Sequence, residues 1–370
     1  SRPSLLSAFS RCYRALSGGS ACRRTHDAWW KNVTIGCVLA RNSASCVRRL
    51  LRHDIRRETN HDLFIEDHLS LSIALVNWNN RDYLRQCLES IEAANLPLSY
   101  DIVVSDNGST DGSLEMLAER YPNVKLVQNG RNIGIAGGNN QCIRNSSGRY
   151  IYILNNDTVI NRDSVVAMVD FLDQHPEAGA VGGNLLNPDG SLQSSFCDFP
   201  TLWEEFQLVT HLGRWRNPHF PSYNGRWPTV REIDWMSSAS MIVRRVAIEG
   251  IDLIDEDYFI YSDETDWEYR LWQAGWKIYY VPDVTTIHYG GASFKPGGKR
   301  YTLVYRGRML FARKHYGLLY QILQRALFAA AALARMLVWL FALAVPRWHD
   351  LARSQLASNL DTLRLCIHLK

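Results

Sequence analysis

The sequence has no Cys-x-x-Cys pair and no group of histidines at zinc-finger spacing, which excludes the common structural zinc modules. Its eight cysteines are scattered over 370 residues, and a chain of this length has no need of a disulfide framework. We therefore expect a reducing compartment. With 46% hydrophobic residues the chain can bury a sizeable core, in two domains or in one large domain with additions.

The sequence also lacks a strong excess of either charge. Its net charge of +4 is far from the basic footprint of a nucleic-acid-binding protein, so we expect no nucleic-acid partner. Arginines crowd residues 1–68, where acidic residues are few, but this part lacks the continuous apolar stretch of a secretory signal. Its Arg- and Ser-rich composition resembles a transit peptide and is more typical of a basic, poorly ordered extension, which we predict here.

Regular hydrophobic patterning begins near Leu69 and alternates between the periods of strands and helices. The predicted strands are 71–76, 101–105, 124–127, 150–154, 235–243 and 278–281. One predicted helix begins near residue 83, and the others cover 113–120, 137–145 and 267–274. The alternation predicts an α/β fold with a mostly parallel central sheet and flanking helices. Ligands bind such sheets at the carboxyl ends of the strands, where Asn77, Asp106 and Asp157 lie.

The C-terminal part has a different composition. Residues 326–345 are apolar except for Arg335, and Pro346 follows them. A membrane-spanning helix needs about 20 apolar residues, but an arginine at mid-span costs roughly 3 kcal/mol on insertion scales. A helix lying in the membrane surface is the first expectation; a true span and a helix docked on the protein remain open. We predict that residues 318–370 form a helical, membrane-associating region.

Three segments carry residues suited to binding a phosphorylated ligand. Asp157 ends a predicted strand, where a carboxylate can hold a divalent cation that neutralises a diphosphate; the alternative is a turn residue that caps the next segment. Asp106 can accept a hydrogen bond from a nucleobase imide. The glycines of segment 132–140 precede a helix start suited to phosphate, although the G-x-G-x-x-G fingerprint is absent. His288, after another predicted strand, can add a metal or phosphate contact, but a lone histidine is more often structural.

An acidic cluster, Asp263, Glu264 and Asp266, directly precedes the predicted helix 267–274. The helix dipole favours anions at this end, and a general base that activates an alcohol must be ionised. This position suits Glu264. The alternative is that all three are helix-start acids on a solvated surface.

Taken together and in this order, these segments resemble family-2 glycosyltransferases of the GT-A fold, especially the bacterial rhamnosyltransferase-like branch. The resemblance covers residues 69–317, which we predict to be the glycosyltransferase domain. It rests on seven motifs: Val76-Asn-Trp-Asn79, Asp106-Asn-Gly-Ser-Thr-Asp111, 132–140, Leu154-Asn-Asn-Asp-Thr158, Pro188-Asp-Gly190, Phe259-Ile-Tyr-Ser-Asp-Glu-Thr-Asp-Trp267 and 288–293.

The resemblance implies that Asp106 contacts the base, that Asp157 binds the metal and that Glu264 is the general base. The predicted site extends these roles to neighbouring residues in the matching motifs. Its members are Asn77, Asp106, Asn132, Gly134, Asn139 and Asn156 for the nucleotide sugar; Asp157 and His288 for the metal; Glu264 and Asp263 for catalysis; and Trp235, Ser238 and Asp266 on the acceptor side.

The sequence departs from the family pattern at three places. The usual Glu-Asp pair is Asp263-Glu264 here, which changes the reach of the two carboxylates. Asn155 replaces the first acid of the usual Asp-x-Asp metal motif, which affects metal affinity. Ser238-Ala239 stands where relatives often have Gly-Ala, which alters the acceptor pocket.

The resemblance implies an inverting transfer of a sugar from a nucleotide-diphosphate donor to an acceptor hydroxyl, with Mg²⁺ or Mn²⁺ as cofactor. The branch that the chain resembles indicates rhamnose as the transferred sugar. We expect a glycan or lipid-linked acceptor in cell-surface glycan assembly, and a cytoplasmic enzyme held peripherally or monotopically at the inner face of the membrane. Two other classes stay open. A non-catalytic nucleotide-sugar-binding protein is expected to lack Glu264, and a nucleotidyltransferase would need a basic, glycine-rich loop in place of segment 77–80.

Overall fold

A ten-stranded sheet occupies the centre of the computed structural model, which describes residues 69–217, 227–290 and 299–368. The predicted extension 1–68 lies outside the described residues. The strands are β1 Leu71–Asn77, β2 Tyr100–Asp106, β3 Lys125–Gln128, β4 Tyr150–Asn155, β5 Thr158–Val159, β6 Ala178–Leu186, β7 Leu192–Gln193, β8 Phe196–Cys197, β9 Arg231–Ile233, β10 Trp235–Met236, β11 Ser240–Arg244 and β12 Lys277–His288.

The main path of the sheet runs β3-β2-β1-β4-β11-β6-β12-β5. Strands β3, β2, β1 and β4 are parallel, β6 and β12 are parallel, and β11 runs antiparallel between β4 and β6. Strands β7 and β9 pair with β6 and β12, while β8 and β10 form a separate two-stranded sheet. The predicted α/β class, with a mostly parallel central sheet and flanking helices, is confirmed.

The helices follow the strands along the chain. They are α1 Arg81–Ala94, α2 Ser113–Arg120, α3 Gly134–Arg144, α4 Arg162–Gln174, α5 Leu202–Thr210, α6 Leu212–Arg216, α7 Arg245–Glu249, α8 Asp263–Gln273, α9 Lys299–His315, α10 Leu318–Ala342 and α11 His349–His368. Sequence analysis assigned no element to α4, β6, α5 or α6. Two of these, α5 and α6, lie within residues 182–235, where five prolines favour the prediction of a loop-rich segment.

The burial of the central strands explains why their sequences are continuous runs of apolar residues. All seven residues of β1 are buried, because helices cover both faces of a parallel sheet. One buried cluster on one side of the sheet includes Leu84 and Ile91 of α1, and another includes Ala136 of α3 and Trp267 of α8. This packing fixes the strand ends on which the polar residues of the site are carried.

Three helices, α9, α10 and α11, form the C-terminal part. Helix α10 packs along α11 and contacts α5. A small buried cluster that includes Val209 of α5, Tyr305 of α9 and Phe328 of α10 joins these helices. Within the described residues, α10 is the one helix long and apolar enough to cross a membrane, judged by length and composition.

Candidate active site

The polar residues at the ends of β1, β2 and β4 form one hydrogen-bonded row. Asn77 is in register with Asp106, and its Nδ2 donates to Asp106 Oδ2 at 2.9 Å. Asn156 donates in turn to Asn77 Oδ1 at 2.7 Å. All three side chains are buried. The row connects two predicted nucleotide-sugar residues to the strand end that carries Asp157, as expected for the carboxyl edge of a parallel sheet.

Asp106 also shapes the loop that follows β2. Its Oδ1 accepts hydrogen bonds from the backbone N–H groups of Gly108 at 3.0 Å and Ser109 at 2.8 Å. Ser109 in turn accepts from the Asn79 N–H, which holds the segment after β1. Trp78, between two anchored asparagines, is 41% exposed. An exposed indole at this edge is a flat surface on which a nucleobase can stack.

Asn132 and Gly134 lie at the start of α3. The Asn132 Oδ1 accepts from the Gly134 N–H at 3.0 Å, and Asn107 donates to the Gly134 carbonyl. Gly134 has φ +82°, and a Cβ there would meet the Phe259 carbonyl oxygen at 2.6 Å. The glycine is therefore required both by its conformation and by the close approach of the segment before α8. Asn139, further along α3, is buried.

Asp157 and His288, the predicted metal ligands, are brought together by the pairing of β5 with the end of β12. Asp157 Oδ1 lies 3.2 Å from His288 Nε2, and both side chains are largely buried. The Asn155 Nδ2 lies 3.2 Å from the same nitrogen. The Tyr289 N–H donates to the Asp157 carbonyl, which fixes the two strand ends against each other.

Gln193, which sequence analysis missed, orients His288. Its Nε2 donates to Asn187 Oδ1 at 2.9 Å and to the His288 carbonyl at 3.2 Å, so its Oε1 must face His288 Nδ1, 2.5 Å away. An amide oxygen only accepts, so Nδ1 carries a proton, and Nε2 is the ring nitrogen that faces Asp157. The only sequence signal was the nearby Pro188-Asp-Gly190 turn.

These groups fit a divalent cation. Within the described ranges, no three His, Cys, Asp or Glu side chains are grouped to hold a metal. Mg²⁺, however, is usually held by one or two carboxylates together with substrate phosphates and water. The Asp157 carboxylate is one such ligand, and Nε2 of a neutral His288 adds a nitrogen ligand. The bond from His288 to Gln193 is the outer-shell support that metal-binding histidines commonly have.

The acidic cluster lies inside the first turn of α8, which begins at Asp263 and not near Trp267 as predicted. Asp263 is 2% exposed, whereas Glu264 is partly exposed. Burial, followed by the charge of Glu264, raises the pKa of Asp263 well above its ordinary value. Burial also raises the pKa of Glu264, while a hydrogen bond from Asp263 opposes that rise. The hydrogen bond between the two carboxyl groups thus raises the pKa of Asp263 and lowers that of Glu264, and Glu264 is the more exposed of the two.

The turn before α8 is strained. Tyr261 and Ser262 both have positive φ, 66° and 64°, which is rare for residues other than glycine. Gly307 of α9 lies against this turn, and a Cβ there would meet the Tyr261 carbonyl oxygen at 2.6 Å. Such strain persists only where the surrounding structure enforces it and is frequent at active sites. Helix α9 thus helps to present the acids of α8.

The predicted acceptor-side residues Trp235 and Ser238 lie between α8 and the end of β4. The Asn155 N–H donates to the Ala239 carbonyl at 3.0 Å, which joins the turn after β10 to the end of β4, next to Asp157. On the other side, the Met236 N–H donates to Glu268 Oε2 at 2.6 Å. This segment therefore bridges the predicted metal and base regions.

Glu268 is a second residue that sequence analysis missed, although its spacing of four from Glu264 places both on one helix face. It is fully buried, and burial raises its pKa well above the ordinary value. Among the described residues no group bonds its Oε1. It forms the link between α8 and the acceptor-side segment.

Asp266 lies inside the first turn of α8 and not before the helix as predicted, because α8 begins at Asp263. Its place on the acceptor side stays a prediction. Its buried carboxylate accepts from Arg270 Nε at 2.8 Å, lies 2.7 Å from His315 Nε2 and accepts from Tyr258. Burial favours a higher pKa for Asp266, but the hydrogen bond of His315 and the charge and hydrogen bond of Arg270 outweigh it and lower the pKa. The structure thus gives Asp266 a scaffold role, in joining α8 to α9.

Known proteins support the same reading of the chain. The model of "Glycosyl transferase family 2" matches residues 72–235. The N-acetylglucosaminyl-diphospho-decaprenol L-rhamnosyltransferase of Mycobacterium tuberculosis is 31% identical over 234 residues, which are 59% of this chain and 76% of the relative. The rhamnosyltransferase WbbL of Escherichia coli is 26% identical over 225 residues, 59% of this chain and 82% of the relative.

Among solved structures, the mannosyltransferase PcManGT of Pyrobaculum calidifontis with GDP-Man and Mn²⁺ aligns with a TM-score of 0.48 at 15% identity, over 90% of this chain and 98% of that one. The extent of the match to the mycobacterial relative establishes the family. The chain is a glycosyltransferase and belongs to glycosyl transferase family 2, in its rhamnosyltransferase-like branch.

Proposed function

We propose that this glycosyltransferase catalyses an inverting, metal-dependent transfer from a nucleotide-diphosphate sugar to an acceptor hydroxyl. One observation carries the proposal: the sheet edge brings a buried Asn77–Asp106 row and the Asp157–His288 pair together, and the turn after β10 joins this edge to α8. A donor can lie along the edge, with its base near Trp78 and its diphosphate near Asp157. The acceptor then reaches the sugar from the side of α8.

The metal would be held by Asp157 and His288, with Asn155 beside them. When bound, a divalent cation neutralises the charge that develops on a diphosphate leaving group. The protein supplies the orientation: Gln193 holds the imidazole so that Nε2 faces Asp157. Mg²⁺ and Mn²⁺ both suit an oxygen-rich site completed by phosphate and water.

Glu264 is proposed as the general base. It accepts the proton of the acceptor hydroxyl while that oxygen attacks the anomeric carbon from the face opposite the diphosphate, so one displacement inverts the configuration. Asp263 is too deeply buried for this role and instead donates a hydrogen bond to the Glu264 carboxylate. Its support keeps the base ionised to lower pH than burial alone would allow.

The donor and acceptor follow from the relatives. The mycobacterial protein is named for L-rhamnose transfer to N-acetylglucosaminyl-diphospho-decaprenol, and the Escherichia coli protein is a rhamnosyltransferase. We therefore propose a nucleotide-diphosphate rhamnose donor and a lipid-linked glycan acceptor in cell-surface glycan assembly. A lipid-linked acceptor places the enzyme at a membrane surface, and we propose the cytoplasmic face of that membrane.

The test is a panel of nucleotide sugars with the purified full chain, read as nucleoside diphosphate released. Release should be strongest with the rhamnose donor, should stop with a chelator and should return with Mg²⁺ or Mn²⁺. Product analysis by NMR then gives the anomeric configuration. Full turnover in chelator would refute the metal, and retention of configuration would refute the single displacement. Donor binding without any turnover would favour a non-catalytic sugar-binding protein.

A further inference from the structure

Helix α10 exposes an apolar surface without interruption. Twelve of its residues are exposed, and every one of them is Ala, Val, Leu, Ile or Phe: Leu318, Leu319, Ile322, Leu323, Ala326, Ala330, Leu333, Ala334, Leu337, Val338, Leu340 and Phe341. We call these residues the apolar face. Phe341 is 80% exposed and Leu318 71%. A helix of a water-soluble protein has the opposite arrangement, with polar residues outward.

Two polar residues within α10, Gln324 and Arg335, point toward the protein instead. Gln324 is buried and donates to Glu205 Oε1 at 2.9 Å. Arg335 donates to the Tyr305 hydroxyl at 2.8 Å and to the Val209 carbonyl at 2.6 Å. In Sequence analysis, Arg335 was the residue that disfavoured a membrane helix. Its guanidinium has hydrogen-bond partners within the protein and is not part of the apolar face.

The neighbouring helix α11 provides an internal comparison. It follows α10 after the turn Pro346–Trp348 and packs back along it. Its exposed residues are mixed and include Arg353, Asp361 and Arg364. Charged side chains along its length cannot lie in hydrocarbon, so α11 stays outside the lipid core. Both helices expose apolar residues, but only α10 exposes them as a continuous surface without exposed charged residues among them.

We propose that α10 lies in the plane of the membrane interface, with the apolar face in lipid and α11 on the aqueous side. This inference deepens the membrane part of the proposed function, since it names the surface and the mode of attachment. At 25 residues and about 37 Å, α10 is long enough to span. A span, however, would pull Gln324 and Arg335 from their partners and separate α10 from α11.

The charge of the region fits an anionic lipid surface. Residues 318–370 contain six Lys and Arg residues against two Asp residues and no Glu. Arg347 and Trp348 lie shortly after the end of α10, and both are exposed. Basic and aromatic residues beside an apolar helix are typical anchors at the level of lipid headgroups. The partner that fits this surface is therefore a phospholipid bilayer with anionic lipid.

The first test measures co-sedimentation of the full chain with vesicles of phosphatidylcholine and phosphatidylglycerol, without donor or acceptor. The double variant Leu337→Asp/Phe341→Asp should bind at least tenfold more weakly than the unchanged chain. The matched control, Leu360→Asp/Ile367→Asp, alters two exposed apolar residues of α11 and should bind within about twofold. Equal effects of the two pairs, or no vesicle binding by the unchanged chain, would overturn the proposal.

Two further readouts separate the alternatives. If the face instead covered a second copy, the α10 variant would change the oligomeric state in light scattering while vesicle binding stayed constant. With protein added outside sealed vesicles, protease should remove a C-terminal tag as readily as it cuts the catalytic domain; a protected tag would show a span and overturn the in-plane mode. Donor hydrolysis by the α10 variant reports on folding, so failure of membrane binding is distinguishable from failure of sugar transfer.

Discussion

Glu264 and Asp263 are adjacent acidic residues that differ in burial, and the first prediction follows from this difference. Glu264→Gln keeps the shape but removes the basicity, so turnover should fall by about 10²–10⁴-fold while donor binding persists. Asp263→Asn, the control, keeps a hydrogen-bond donor and should cost less. Because burial raises the pKa of Glu264, the unchanged enzyme should lose activity as pH falls through a value above the usual 4.5.

The measurement is a pH–rate profile of nucleoside diphosphate release for the three proteins, with donor affinity measured separately. The acid limb should be absent from Glu264→Gln. If Asp263→Asn were the slower variant, the base would be Asp263. If neither variant slowed turnover while donor still bound, the proposed displacement would have to be abandoned.

Gln193 carries the second prediction, which concerns the orientation of His288. Gln193→Leu removes the acceptor of the Nδ1 proton, so Mn²⁺ should bind about 10–100-fold more weakly, as is usual when an outer-shell partner is lost. The matched control is Gln86→Leu, since Gln86 donates to the neighbouring Tyr289 hydroxyl.

Calorimetry or Mn²⁺ electron paramagnetic resonance, in the presence of nucleoside diphosphate, measures this affinity apart from activity. Turnover by Gln193→Leu should recover at high Mn²⁺ concentration. Equal affinities for the two variants would contradict the positioning role, and a loss that no metal concentration restores would point to misfolding.

At the scale of elements, Glu268 links α8 to β10 and carries the third prediction. An unfolded glutamate has a pKa of about 4.3, whereas burial raises the folded value well above the ordinary one. The stabilisation by Glu268 is therefore present below pH 4.3 and is lost as pH rises toward the folded pKa. The glutamine of Glu268→Gln cannot ionise. The free energy of unfolding of this variant should therefore increase relative to that of the unchanged chain as pH rises from 5 to 8.

Thermal unfolding of both proteins in the same detergent, at several pH values, measures this difference. Other titrating groups act alike in the two chains and cancel. Parallel stability curves across the range would mean that Glu268 is ionised in the folded protein, and the link to Met236 would then be charge-assisted.

Elements whose signal is local were predictable, and those that depend on tertiary contacts were not. Strands β1 and β2 were placed within one residue at their carboxyl ends, because a buried apolar run stops at a polar residue. The start of α8 was wrong by four residues, since the turn at Ser262 has positive φ values and lies against Gly307 of α9, neither of which has a local sequence signal. Helices α5 and α6 were missed because nearby prolines suggested loops throughout.

The site shows the same division at the level of the whole molecule. Residues at strand ends, such as Asp106 and Asp157, could be proposed from order along the chain because parallel strands share an edge. Gln193 and Glu268 could not, since their importance comes from partners far away in sequence. Their hydrogen bonds to His288 and Met236 exist only after the sheet and α8 have assembled.

The two ends of the chain differ in their relation to the site, which gives the last prediction. Every proposed site residue lies between Asn77 and His288, so removal of residues 1–66 should leave turnover within about twofold. Removal of 318–370 also spares the site, but it takes Gln324 and Phe328 away from α5 and α9. The loss of a buried aromatic side chain alone costs about 3–5 kcal/mol.

A destabilisation of about 3 kcal/mol lowers the melting temperature by roughly 6–12 °C in a domain of this size. Helix α9 also braces the strained turn before α8 through Gly307, so turnover should fall together with stability. Melting temperature and nucleoside diphosphate release of the two truncated chains provide the comparison. A C-terminally truncated enzyme that remained stable and fully active would show that α10 and α11 serve the membrane alone. The combined loss of stability and turnover would show instead that the membrane helix is part of the scaffold that presents Glu264.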